Sequence, residues 1–157
     1  MQEARTLGLN EAEMIVDAAI KANKDSKDAP GTEGYPMAIA VVDRCGHLLC
    51  FKRMDGAFSL ACRVAIAKAE SAAELLRDTW EQRKISDSRD VDGYKLNIKG
   101  YEFASSRHTE IPGGCVIKTS DGRVVGAIGT SGRSPKGDEE IAKAGVKAFE
   151  QSEWFKV

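Results

Sequence analysis

Two short strand pairs, each closed by a tight turn and each followed by a helix, constrain this chain more than any other feature. In the first pair, "MAIAVVD" (37–43) is a brief, nearly unbroken apolar run. A run of that kind suits a central strand covered on both faces. "RCG" turns the chain, and "HLLCFKR" (47–53) returns. Alternation in the returning strand predicts His47, Leu49, Phe51 and Arg53 on one face, with Leu48, Cys50 and Lys52 on the other. The second pair is "CVIKT" (115–119) and "RVVGAIG" (123–129), joined through Asp121-Gly122. An Asp-Gly step between apolar runs marks a hairpin, because the favoured two-residue turns need positive φ.

Helical periodicity fills the intervals. In "LNEAEMIVDAAIKANKDSK", Asn10 is placed to cap and Glu13 stands three residues on, which is capping-box spacing. An alanine-rich helix is expected over roughly Phe58 to Asp78, with Leu60, Ala61, Val64, Ala65, Ala69, Ala72, Ala73 and Leu76 facing inward. Small side chains there let a helix lie close on a sheet. A last helix is expected from near Asp138, with Ile141, Gly145, Ala148 and Phe149 on its apolar face. Between these stands a long segment, about Trp80 to Gly114, carrying Trp80, Tyr94, Tyr101, Phe103 and His108. It exceeds the ordinary loop length of about 12–15 residues, so a lid, a subunit contact or a ligand wall is expected. The order α-β-β-α, long segment, β-β-α predicts an α+β sandwich with a central antiparallel sheet of two hairpins.

The 157 residues suit a single domain, 1–157. With 23 basic and 24 acidic residues, the net charge is −1 and no basic block stands out. Neither nucleic acid nor an anionic membrane is therefore expected as a partner. No apolar run approaches the roughly 18 residues of a membrane span, and the N-terminus lacks the pattern of a signal peptide. Cys45, Cys50, Cys62 and Cys115 form no C-x-x-C pair. Reduced thiols in a cytoplasmic protein are expected.

Four blocks, "AIAVVDRCGHLLCFKRMDGA", "AKAESAA", "IPGGCVIK" and "GRVVGAIGTSG…DEEIAKAG", together resemble the GlcG/HbpS family, also called haem-degrading or PduO-C-terminal-like proteins. The resemblance covers about residues 9–79 and 111–149, and leaves a divergent insert at about 80–110. It implies a profilin-like fold and a homo-oligomer, whether dimer, tetramer or octamer. It also implies a small-molecule binding protein; some members bind haem, and no fixed cofactor is implied. An iron-binding Glu-x-x-Glu pattern belongs to one branch. Here Glu70 and Glu74 stand one residue too far apart for it.

The candidate residues follow. Arg53 ends its strand on the Phe51 face and can clamp a carboxylate. Asp55 either caps the following helix or orients Arg53 or a substrate. Lys68 either snorkels at a helix edge or faces a pocket with a lowered pKa. Gly113 and Gly114 either turn the chain into its strand or offer N–H groups to an oxyanion. Asp138 and Glu139 either complement the helix dipole, or move a proton or bind a cation. His108 is a candidate haem ligand or general acid/base. Cys115 can be a nucleophile, but its strand context favours a small buried apolar residue. His47 reads as hairpin trim. With two histidines and no clustered cysteines, no tetrahedral zinc site is expected. The alternative to a binder is a cofactor-independent enzyme, an isomerase, lyase or hydrolase. It would act on an oxygenated organic acid, with His108, Lys68, Asp138 or Glu139 moving protons and Arg53, Asp55, Phe51, Gly113 and Gly114 holding the ligand.

Overall fold

The computed structural model describes residues 4–26, 35–88, 90–91, 94–95 and 107–156. Two hairpins merge into one four-stranded antiparallel sheet. The strands are β1 (Ala38–Asp43), β2 (Leu48–Arg53), β5 (Gly114–Lys118) and β6 (Val124–Ser131), in spatial order β2-β1-β6-β5. The two hairpins join where β1 pairs with β6, with Ala38 opposite Ser131 and Asp43 opposite Gly126. Helices α1 (Leu9–Lys24) and α4 (Pro135–Glu150) cover one face, and α2 (Ser59–Leu75) covers the other. Ile15, Val16, Val41, Ile117, Ile128 and Phe149 fill the first layer. The second is nearly all alanine: Ala61, Ala65, Ala69 and Ala72 lie on Ala38, Ala40 and Ala127. The expected α+β sandwich is borne out.

Several boundaries differ from expectation, each for a local reason. α1 begins before Asn10, because Glu11 accepts the Gly8 N–H at 2.6 Å and is itself held by Arg5. The β1–β2 register breaks at a bulge, with Val41 opposite Cys50 and Val42 opposite Leu48. The extra residue, Leu49, therefore packs with Cys50 on the α1 side, while Phe51 packs on the α2 side. The expected grouping of Leu49 with Phe51 is thus corrected. α2 stops three residues short of Asp78, at Leu75, and is capped by Leu76, whose φ is 54°. α4 starts at Pro135 rather than near Asp138. Ser134 caps it by accepting the Gly137 N–H, and proline is preset for the first helical position.

The segment from Trp80 to Gly114 is not irregular throughout. α3 (Thr79–Ser88) opens it, and a two-stranded ribbon follows, β3 (Asp90–Val91) with β4 (Tyr94–Lys95). The side chains of Tyr94, Tyr101 and Phe103 lie outside the described residues. The start of α3 also covers the sheet edge at β5. Asp78 Oδ1 accepts the Val116 N–H at 2.9 Å, and Thr79 Oγ1 accepts the Gly114 N–H at 3.1 Å. Among the described residues, no helix is long and apolar enough to cross a membrane.

Candidate functional site

Helix α2 presses so closely on the sheet that its one buried cation must find a partner across the fold. Lys68 is 1% exposed. Its Nζ donates to Thr130 O at 2.8 Å and to Asp138 Oδ2 at 2.8 Å. Asp138 Oδ1 accepts the Arg133 N–H at 2.8 Å, and Thr130 Oγ1 donates to Asp138 O at 2.6 Å. One ion pair thus ties α2, the end of β6 and the first turn of α4. Burial pushes the Lys68 ammonium below its ordinary pKa and the Asp138 carboxyl above its own, while each partner's charge opposes the other's shift.

Gly113 and Gly114 thread through this knot. Gly113 has a φ of +116°, and a Cβ there would lie 2.9 Å from Asp138 Cβ and 3.0 Å from Lys68 Nζ. The two N–H groups of this glycine pair are both engaged. That of Gly113 goes to Glu139 Oε2 at 2.9 Å, and that of Gly114 to Thr79 Oγ1.

Glu139 lies at the boundary between this buried knot and an open cleft. Its Oε1 sits 3.3 Å from Lys143 Nζ. The cleft, of about 680 Å³, is lined by Trp80, Pro112, Pro135, Lys136, Glu139 and Lys143, among others. A second cleft of about 850 Å³ lies beyond Lys143, with Asp78, Cys115, Val116 and Val146 in its wall.

The other sequence-derived candidates lie elsewhere. Arg53 and Asp55 are exposed at the end of β2 and share a groove of about 500 Å³ with Ile20, Lys24, Lys52 and Met54. Lys68 does not line it. Lys52 is paired with Asp17 at 2.6 Å, and Phe51 packs against the α2 alanines. His108 Nε2 lies 3.6 Å from Glu110 Oε1, and Glu110 in turn accepts a hydrogen bond from Ser86. This chain of contacts runs toward α3 rather than to the Lys68–Asp138 pair. His47 stays in the hairpin turn, its Nδ1 3.3 Å from Asp43 Oδ2. Glu70 pairs with Arg107 at 3.0 Å. Sequence reasoning passed over Asp78 and Thr79. The Asp78-x-x-Glu81 spacing was the available signal, since it marks a helix start.

Comparison with known proteins agrees with this architecture. A protein of Citrobacter freundii, known as an uncharacterized 15.0 kDa protein in the dhaT-dhaS intergenic region, is 29% identical over 138 residues, covering 87% of this chain and 93% of that one. Among solved structures, protein ORFY of Klebsiella pneumoniae superposes with a TM-score of 0.80 at 26% identity, covering 98% and 97% of the two chains. A double mutant of HbpS from Streptomyces reticuli gives a TM-score of 0.74 at 27% identity, covering 94% and 89%. The family model described as haem degrading protein HbpS-like matches residues 7–147. The strand order, the alanine-faced α2 and this near-complete match agree with the resemblance read from the sequence: the chain belongs to the HbpS-like family.

Proposed function

We propose that the protein binds a flat, carboxylate-bearing small molecule in the cleft between Trp80 and the start of α4. Haem is the first ligand to test, because the family's description names it. One observation carries the reading. The Trp80 indole, 40% exposed, shares a cleft of about 680 Å³ with Pro112 and Pro135, and Lys136 and Lys143 stand at its margin. That volume falls in the range of roughly 300–1,000 Å³ typical of small-molecule sites. Apolar walls suit a ring system, and the two ammonium groups suit its carboxylates.

The residues fit the macrocycle and propionates of haem better than its iron. The lining contains no histidine, cysteine, methionine or tyrosine among the described residues, and these are the usual axial ligands. Binding through ring stacking and charge is the arrangement this lining supports.

Haem titration followed in the Soret region checks the proposal. The wild-type protein should saturate. Trp80→Ala should weaken binding about tenfold, near 1.4 kcal/mol. His108→Ala should retain the spectrum. No spectral change at micromolar haem would remove haem as the ligand. Loss of binding in His108→Ala or Arg53→Ala, with Trp80→Ala unaffected, would move the site to that residue.

A second reading, proton transfer on an oxygenated organic acid, is favoured by Glu139. Its Oε1 is buried, accepts no hydrogen bond among the described residues, and borders the cleft. Lys68 and Asp138 are engaged with each other and serve this reading as the support of α4.

Assembly into a homo-oligomer belongs to the same proposal. Leu48, Phe58 and Leu60, on β2 and about the start of α2, are each about half exposed. Apolar side chains of that size are commonly covered by a neighbouring subunit. Light scattering should give at least a dimer mass at micromolar concentration. A monomer mass throughout would end this part of the reading.

A further inference from the structure

Three elements bring three potential metal ligands together. Asp78 precedes α3, Cys115 is the second residue of β5, and Glu139 lies in α4. One ligand atom from each lies within 4.8 Å of the other two. Cys115 is 1% exposed and Glu139 is 8% exposed. Both carboxylates are anchored through one oxygen, Asp78 Oδ1 by the Val116 N–H and Glu139 Oε2 by the Gly113 N–H. Each therefore holds its second oxygen in a fixed orientation, that of Glu139 facing the ammonium of Lys143. Glu139 Oε1 is buried and accepts no hydrogen bond among the described residues. Lys143 Nζ forms an ion pair with it at 3.3 Å, and the Lys143 side chain is 60% exposed.

Lys68 is already taken by Asp138. Lys143 acts on both Asp78 and Glu139, while Arg77, Glu81, Lys118, Lys147 and Glu150 stand on the surrounding cleft wall. A buried carboxylate, Glu139, and a half-buried one, Asp78, beside a thiol are stabilised by a proton or a cation.

We infer that Asp78, Cys115 and Glu139 form a site for a divalent transition metal, in the wall between the two clefts. One sulfur and two carboxylate oxygens suit Zn²⁺ or Co²⁺. Mg²⁺ and Ca²⁺ take six or more oxygens, which this set does not supply. On binding, the metal–sulfur bond replaces the Cys115 S–H bond, and the proton leaves to solvent. A fourth position opens toward the cleft of about 850 Å³ that Asp78 and Cys115 line. The site stands whatever molecule occupies the Trp80 cleft.

The test uses the full chain, reduced and stripped with a chelator. Co²⁺ titration should reach one ion per chain and produce a thiolate-to-metal charge-transfer band. Cys115→Ser should abolish the band, and the Cys45→Ser, Cys50→Ser and Cys62→Ser changes should leave it. Asp78→Asn and Glu139→Gln should each weaken Zn²⁺ binding by roughly 10–100-fold. Lys143→Met should tighten it, because a competing ammonium is removed. Should Cys115→Ser fail to fold, labelling of Cys115 in the wild type decides, since Zn²⁺ must slow it. Saturation with Co²⁺ without the band, a band that survives in folded Cys115→Ser, or an unchanged labelling rate would each overturn the inference.

Discussion

Lys68→Met is expected to cost about 3–5 kcal/mol of stability, because it leaves the Asp138 carboxylate buried without its partner. Methionine keeps most of the lysine's volume, so the loss is one of charge and hydrogen bonds rather than packing. The two side chains are 1% and 5% exposed, and water cannot reach Asp138 without opening α4 from β6. Asp138→Asn in the Lys68→Met background should recover part of the loss, since an amide can still accept from the Arg133 N–H. The pH dependence of the single variant has a definite sign. Without Lys68, burial outweighs the opposing Arg133 N–H and charge and holds the Asp138 carboxyl above its ordinary value. The folded state then binds that proton more tightly than the unfolded state. Stability is lost as pH rises through the folded-state value and regained as it falls. Urea unfolding near pH 5 and pH 7 measures both effects. A cost under about 1 kcal/mol would mean that the pair does not hold the three elements together.

Gly129→Ala should be comparably damaging for a steric reason. A Cβ at Gly129 would lie 2.0 Å from Ala65 O and 2.6 Å from Ala69 N, both backbone atoms of α2. No rotamer change relieves such a clash, so the helix must lift from the sheet and open its alanine layer. The expected loss is about 3 kcal/mol or more. Gly122→Ala is the control. It meets nothing within 4 Å and is penalised only through its φ of +84°, by about 1–2 kcal/mol. Thermal unfolding of the two variants should separate them clearly. Equal shifts would mean that α2 has room to move.

The hairpins and α2 were legible because their signals are local. Asp121-Gly122 announces its turn, and alternating or alanine-rich runs announce strand and helix. Leu49 was misplaced because a bulge inserts one residue without any local mark in "HLLCFKR". α3 was missed because "TWEQRKISDS" carries few apolar residues and no clear stripe. The site was legible as residue types, not as partnerships. Lys68 and Asp138 were each singled out, yet nothing in the sequence joined them, because their contact spans the fold. Gly113 and Gly114 suggested open N–H groups, and only the folded chain shows Glu139 and Thr79 engaging them. Cys115 read as a packing residue for the same reason. Its two carboxylate neighbours come from α4 and from the residue before α3.

The closed edge of β5 has a consequence for crowded conditions. An open sheet offers its outer strand as a template on which other chains can align and aggregate. Here the outward N–H groups of Gly114 and Val116 are already bonded to Thr79 and Asp78. At the opposite edge, β2 carries a bulge and two exposed cations, Lys52 and Arg53. Copies of this chain can therefore meet through helix surfaces and exposed side chains, but their sheets are kept from fusing. Loss of the Asp78 carboxylate would unblock one of those edges, and fibril-prone material would be expected before any loss of secondary structure.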